Sequence, residues 1–404
     1  MRVATGAVAL AGLLATAAPA TPQAPGYRLR VVQAHAHQTA VAVAVRLHAG
    51  SQDDQDGREG TAWLLGRVLE AQAVRALADG GSEAAVRVSV ERATTLVTVL
   101  AFPEDWQAAW AVVDSILFEG ALDPAVVEAH RAELADRLAF EAGSPVQDFE
   151  TEAAGLLAEP GSSFARPVRG TLSSLATLTQ GDLAGYRGTH FRRSLAVQAV
   201  VGPVPPDTGA VLDSPAPAPP RPGGLAWLTG DRQTQVQDVT STWIQVAYPA
   251  PPDLPRTRLE LIAHLIGEEL DPTPPAPDRY SVDVRLEETP RGPVLVVEAA
   301  VFPEATGRWE ERITGAVRSL AEEPIPEDFF RWRRRRFRTA RLLEESTPEA
   351  QAARMTADLL RDGVVRDLGL EIWGLDTQAV GEAARALGEP RIFILGPDLA
   401  GSRY

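Results

Sequence analysis

The strongest constraint on the fold of this chain is an internal repeat. Two strand-like segments, VTVLAFPE and VEAAVFPE, end in the same tripeptide at Glu104 and Glu304, which are 200 residues apart. In each half a helical pattern, an acidic turn and a longer Arg- and Glu-rich helix follow. Each half then finishes on a strand that runs into Gly-Pro, at Pro203 and Pro397. Three matches in register predict two copies of one α+β domain.

The order of elements predicts the architecture of each copy. Strand-like segments lie early and at the end of each half with helices between them, which favours a mostly antiparallel sheet with helices packed on one face. We therefore expect two homologous α/β sandwich domains, duplicated with a period of about 200 residues. The Pro- and Gly-rich segment 204–224 reads as a linker between an N-terminal domain, 21–203, and a C-terminal domain, 225–404.

The first twenty residues have the pattern of a secretory signal. Arg2 precedes an uncharged Ala, Val and Leu run, and Ala18-Pro19-Ala20 fits a small-residue cleavage site. We predict a signal peptide at 1–20 and a periplasmic or secreted protein; an uncleaved anchor and a buried N-terminal helix stay open as alternatives. No later segment approaches the ~20 apolar residues that span a bilayer, so we expect no membrane contact after signal cleavage.

Composition excludes several classes of function. The chain carries a formal net charge of −15, which makes electrostatic capture of nucleic acid or anionic lipid by the whole molecule unfavourable. It contains no cysteine, so disulfides, thiolate metal sites and a cysteine nucleophile cannot form.

Two segments carry a resemblance to a known family. AGSQDDQDGREGTAWLLGRVLE, from Ala49 to Glu70, and the segment from Ser162 to Gly202 resemble the signature regions of the insulinase, pitrilysin and mitochondrial-processing-peptidase family. The resemblance implies a duplicated α+β fold and zinc-dependent peptide hydrolysis. In that family an inverted H-x-x-E-H helix supplies two His ligands and a Glu that activates the metal-bound water, and a distant Glu completes the ligand set.

Each position that the resemblance assigns to zinc chemistry holds an unsuitable residue. Trp63 and Arg67 stand at the two His positions, Gly66 at the Glu position and Arg137 at the distant ligand. Indole has no lone pair for a metal, glycine has no side chain, and guanidinium is a permanent cation. We therefore predict that zinc, the family cofactor, is lost and that the chain is not an enzyme. Residual peptidase activity through a relocated metal stays open as a weaker alternative.

A second family element lies in the C-terminal half, where an Arg and a Tyr seven residues later help to bind the scissile carbonyl. Tyr280 resembles that Tyr and is a candidate substrate-binding residue. Thr273 stands at the Arg position, so the Arg is missing unless Arg279 substitutes for it.

Other patterns have simpler explanations. The loop from Asp53 to Gly57 resembles a calcium loop but lacks its first and twelfth ligands, so we expect a solvated loop. His35 and His37 are expected in a solvated turn. The basic run from Phe329 to Leu343 places Phe330 and Phe337 on one helical face, which predicts an amphipathic helix with a charged outer face rather than a nucleic-acid site.

These observations predict a pseudo-peptidase. The chain should pair with an active, zinc-bearing homologue and help to enclose peptide substrates. The alternative is a stand-alone or homodimeric peptide-binding protein without hydrolase activity. We also expect Trp63 and Arg67, one helical turn apart, to fill the position of the lost metal, with the guanidinium bound to a carboxylate such as Glu70.

Overall fold

The computed structural model describes residues 26–158, 161–204, 231–272 and 276–398. The predicted signal peptide 1–20 lies outside these residues, and so does the predicted linker beyond Val204. Both stay predictions.

The two halves repeat the same succession of strands and helices within the described residues. The elements of the first half are β1 Leu29–Ala34, β2 Val41–Leu47, α1 Thr61–Asp79, β3 Ala85–Val90, β4 Thr95–Ala101, α2 Trp106–Phe118, α3 Pro124–Glu141, α4 Pro145–Leu156, α5 Leu172–Thr177, α6 Gln180–His190 and β5 Ala196–Gly202. Those of the second half are β6 Arg232–Val236, β7 Thr242–Pro249, α7 Arg256–Leu270, β8 Arg279–Thr289, β9 Gly292–Val301, α8 Thr306–Glu322, α9 Glu327–Glu344, α10 Pro348–Asp362, α11 Leu368–Trp373, α12 Thr377–Ala386 and β10 Arg391–Gly396.

Each half builds one five-stranded sheet, and the two sheets have the same topology. The strand orders are β1-β5-β2-β4-β3 and β6-β10-β7-β9-β8. The pairs β1/β5 and β6/β10 are parallel, and the other neighbours are antiparallel. The predicted fold class, a duplicated α+β fold with mostly antiparallel sheets, is confirmed. In both sheets the third strand of the half, β3 or β8, lies at an edge.

Alternating side chains give each sheet two buried faces. In β2, Val41, Val43 and Val45 pack with α1 and α2 in the main core of the first half. The intervening Ala42 and Ala44 are also fully buried, but they lie on the opposite face. A strand that is apolar on both faces needs a cover on both sides.

The cover of the second face comes from the other half. Ala42 and Ala44 pack against Ala352 and Met355 of α10, because small side chains on the strand let the helix lie close. Reciprocally, α4 of the first half lies on the second sheet, where Phe149 packs against Phe393 with ring centroids 5.7 Å apart. One helix from each half is thus exchanged across the molecule, in addition to the helices that cover the first face of each sheet.

Polar contacts fix α4 on the second sheet, and an ion-pair cluster stabilises α10 within its own half. Gln245 of the second sheet donates to the carbonyl of Ala153 in α4 at 2.9 Å, and Arg391 donates to the carbonyl of Leu156. On α10 the buried carboxylate of Asp358 binds a set of three guanidinium groups. These belong to Arg354, Arg361 and Arg366, at 2.7, 2.8 and 3.1 Å.

Candidate functional site

The degenerate motif lies on α1, and a buried carboxylate positions the start of that helix. Asp54 accepts hydrogen bonds from the backbone N–H groups of Gly60 at 2.8 Å and Ala62 at 2.9 Å. Gly60 has φ +92°, and a Cβ there would lie 2.6 Å from the carbonyl oxygen of Arg169. Only glycine permits this turn and close approach, so the loop before α1 enters the helix along one fixed path.

Asp54 should also make stability depend on pH. Burial raises the pKa of its carboxyl to about 7, although the two N–H donors act to lower it. The folded state therefore holds this proton more tightly than the unfolded chain, so this contribution to the unfolding free energy falls as pH rises from about 4 through about 7. The slope is at most about 1.4 kcal/mol per pH unit. Urea unfolding at several pH values checks it: Asp54→Asn should flatten the slope, and equal slopes in both proteins would contradict the assignment.

Trp63 and Arg67 lie one turn apart on α1, at the positions that the family resemblance assigns to the two His ligands. The Arg67 guanidinium carbon lies 5.7 Å from the centroid of the Trp63 ring, within cation–π range. Its Nη2 forms an ion pair with Glu70 and donates to the carbonyl of Val88 at 2.7 Å. The pairing with Glu70 agrees with the expectation from the sequence.

The side chains of Arg67 and Glu70 also form hydrogen bonds with the backbone of an edge strand. The carboxylate of Glu70 accepts from the N–H of Val88 at 2.7 Å, while Arg67 donates to the carbonyl of that residue. Val88 belongs to β3, the edge strand. Its two backbone groups are therefore already bonded and cannot pair with an added strand at this point.

Gly66 packs directly against this strand. A Cβ built at Gly66 would lie 2.7 Å from Cγ2 of Val90 and 3.3 Å from Cγ1 of Val88. Any side chain at the motif's Glu position would thus push against β3, and the tight packing of α1 depends on the glycine.

Arg137, at the position of the distant ligand, is bound within its own helix. On α3 it forms an ion pair with Glu133 at 3.2 Å, one turn earlier, and Glu133 also lies 3.3 Å from Nδ1 of His130. Its side chain is about half exposed, which suits a solvated helix face.

Tyr280 lies far from these contacts along the chain, at the start of β8. Its ring is 58% exposed and packs on Phe302 with centroids 4.9 Å apart. Arg279, the substitute considered for the family Arg, is instead paired with Asp271 and nearly buried. Thr273 lies outside the described residues. The ring of Tyr280 is therefore accessible, whereas the guanidinium of the neighbouring Arg279 is already paired with Asp271.

The donor set on α1 does not fit a zinc ion. Trp63, Gly66 and Arg67 offer no lone pair, and the positive charge of Arg67 opposes a divalent cation. Across the described ranges, no three His, Asp or Glu side chains come together as a metal site requires.

Purified wild-type protein should therefore carry no stoichiometric zinc. The reason is the chemistry of Trp63 and Arg67, which replaces two imidazoles with an indole and a cation. Elemental analysis after dialysis against a mild chelator checks this expectation. One tightly held Zn²⁺ per chain would show that the motif helix is wrongly placed.

Sequence reasoning missed a polar cleft in the second half. Glu260, His264 and Glu268 follow one another at intervals of four on α7, the counterpart of α1, and this spacing was the available signal. They line a cleft of about 560 Å³ between α7, α9 and β8. Glu268 binds Arg333 and Arg336, so its charge is neutralised.

His264 is the titratable centre of that cleft. Its ring lies 5.2 Å from Phe337, and burial lowers the pKa of the imidazole, while the charge of Glu268 acts to raise it. The imidazole is therefore neutral at pH 7. Glu260 likewise binds Arg256 at 3.2 Å and Arg341 at 2.9 Å, so arginines hold both carboxylates and the cleft is an ion-pair network.

No family model and no curated protein sequence matches the chain. Among solved structures it is similar to one described as the peptidase M16 inactive domain from Pseudomonas fluorescens: 12% identity, 93% of this chain and 97% of that chain covered, TM-score 0.74. The chain has the fold of the M16 peptidases. The resemblance inferred from Ala49 to Glu70 is confirmed at the level of the fold.

Two further solved structures are similar to the chain. A protease from Helicobacter pylori matches at 11% identity, covering 92% of this chain and 98% of that chain, with a TM-score of 0.69. The periplasmic protease PqqL from Escherichia coli matches at 13% identity and a TM-score of 0.68, over 91% of this chain but only 44% of that chain. Within the described ranges, every helix is too short or too polar to span a bilayer.

Proposed function

We propose that this chain is a non-catalytic subunit of M16 type that pairs with an active, zinc-bearing homologue and encloses peptide substrates. The observation that carries the proposal is the state of the α1 face. Arg67 and Glu70 bind each other and the backbone of Val88, so a cation lies where the family resemblance places a metal ligand, and the edge strand is already bonded at Val88. The fold is kept while the chemistry is replaced.

The comparison with PqqL supports pairing, because the similarity covers 91% of this chain and 44% of that longer protease. PqqL therefore contains further sequence beside the matched region, and we propose that a homologue supplies its equivalent here. The signal-like N-terminus and the periplasmic location of PqqL support a periplasmic or secreted site of action. Tyr280, accessible at the start of β8, is the residue that we assign to peptide contact.

Association with the zinc-bearing homologue of the same organism is the direct test. The two purified proteins should form a 1:1 complex at micromolar concentration, measured by size-exclusion chromatography with light scattering. The mixture should cleave peptides faster than the homologue alone. A control homologue with Gln in place of its motif Glu should still associate but not cleave, because the active subunit supplies the chemistry.

Two results would contradict the proposal. Failure to associate at micromolar concentration would rule out a role as the paired subunit. A stable self-dimer that binds peptides without the homologue would support the homodimeric binding protein instead.

A further inference from the structure

We infer that the groove between α9 and α11 is a docking surface for a protein partner that presents an apolar side chain flanked by carboxylates. The groove has a volume of about 270 Å³ and is lined by Arg335, Arg338 and Leu342 of α9 and by Trp373 of α11. The inference deepens the proposed function by naming a surface for the partner. It rests on that function only for the identity of the partner.

The apolar wall of the groove is exposed and held in place. Leu342 is 62% exposed and Trp373 is 57% exposed. Arg334 fixes the indole from below: its guanidinium carbon lies 5.0 Å from the ring centroid, and its Nη1 donates to the carbonyl of Trp373 at 3.1 Å. Trp and Arg are the residues that most often anchor protein interfaces. Because the Trp373 ring is already held by Arg334, little side-chain entropy is lost when a partner covers it.

The charge of the groove is concentrated in two arginines. α9 carries seven arginines and three carboxylates in a chain of net charge −15. Most of the arginines have partners: Glu268 binds Arg333 and Arg336, Glu260 binds Arg341, and Arg331 lies near Glu327 and Asp328.

Arg334 has no carboxylate partner but bonds the backbone carbonyls of Trp373 and Leu375, and among the described residues this leaves Arg335 and Arg338 as the two exceptions on α9. Both are exposed and line the groove. Within the described ranges neither lies within ion-pair distance of a carboxylate. Two uncommitted cations beside an exposed Trp are complementary to a partner whose acidic side chains flank an apolar one.

The number of unpaired arginines and the net charge of the chain argue against a nucleic acid or an anionic membrane as the partner of this groove. Polyanion binding draws on many uncommitted cations, commonly six to ten phosphate contacts, whereas only Arg335 and Arg338 are uncommitted in this groove. The net charge of −15 repels a polyanion from the rest of the molecule. A protein segment needs only a local match, so it is the occupant that the groove fits.

The first arm of the test uses a defined probe with the full chain. A fluorescent peptide of about twelve residues, built from Glu and Leu in an amphipathic pattern, should bind the wild type in fluorescence anisotropy, more weakly as salt rises. Arg335→Glu with Arg338→Glu should weaken binding roughly tenfold, and Trp373→Ala by a similar factor. Arg75→Glu with Arg331→Glu makes the same charge change away from the groove and should leave the Kd unchanged. Circular dichroism confirms that each variant is folded.

Three probes distinguish the occupants. The same peptide with Lys in place of Glu, a single-stranded DNA and phosphatidylglycerol vesicles should not bind. Binding of DNA or vesicles that the groove variants lose, without binding of the acidic peptide, would overturn the inference.

The second arm uses the zinc-bearing homologue and separates the two proposals. If the groove variants lose association and the control variant keeps it, both proposals stand. If the groove variants associate as well as the wild type, the proposed function stands and the docking surface is wrong. If the homologue never associates while the acidic peptide binds through Arg335 and Arg338, the docking surface stands and the proposed function is wrong. If neither the homologue nor the acidic peptide binds, the proposed function and the docking surface are both rejected.

Discussion

Replacing Asp358 with alanine should lower the free energy of unfolding by about 3 kcal/mol, because it leaves three partly buried guanidinium groups without the buried carboxylate that they share. Asp358 is only 1% exposed and binds Arg354, Arg361 and Arg366. It lies on α10, the helix that covers the first sheet, so we expect both halves to be destabilised together.

Urea unfolding followed by circular dichroism measures this loss. Asp79→Ala is the matched control, since Asp79 forms an exposed ion pair with Arg75 at 3.9 Å and its removal should cost less than about 1 kcal/mol. Asp358→Asn should fall between the two, because it keeps an acceptor and loses the charge. A loss below about 1 kcal/mol for Asp358→Ala would mean that Glu345, Asp362 and Glu371, which already pair with these arginines, compensate for the missing carboxylate.

Restoring the family motif should fail to create a peptidase. The variant Trp63→His, Gly66→Glu and Arg67→His supplies two imidazoles and a carboxylate, but Arg137 still stands at the position of the distant ligand, and two His alone hold zinc poorly. The new side chain at position 66 would also press on Val90, since a Cβ there lies 2.7 Å from its Cγ2. We expect overpacking to cost about 1–3 kcal/mol, and loss of the Arg67 contacts to add to it.

Three measurements separate the effects. Urea unfolding should show that Gly66→Ala alone already lowers stability, which isolates the steric part. Zinc analysis of the triple variant after dialysis should find no tightly bound ion, and a peptide assay should find no zinc-dependent cleavage. Brisk cleavage would mean that an unrecognised carboxylate already lies in place near α1.

The duplicated fold could be predicted because its signals are local. The Phe-Pro-Glu repeat at Glu104 and Glu304 marks equivalent ends of β4 and β9, and the alternating pattern of each strand appears in a short window. The exchange of α4 and α10 could not be predicted in the same way. It depends on Ala42 and Ala352, which meet across about 310 residues and look unremarkable in sequence, since alanine favours neither a strand nor an interface.

The candidate site likewise combines contacts that the sequence predicts with contacts that it does not. Arg67 and Glu70 are three residues apart on one helix, so their pairing follows from helical geometry. Their bonds to Val88 depend on how the edge strand lies against α1, which no local pattern encodes. The cleft around His264 has no distinctive pattern in the sequence, because Glu260, His264 and Glu268 at intervals of four also fit an ordinary solvated helix face.

The exchanged helices also constrain the order in which the two halves can fold. The strands of the first sheet are complete at Gly202, yet the helix that covers its outer face, 348–362, leaves the ribosome about 150 residues later. Until then a row of alanine and valine side chains stays open to water and to other chains. The molecule therefore cannot mature one half at a time from its N-terminus, and contacts of such long sequence separation favour slow folding that holdase chaperones would protect.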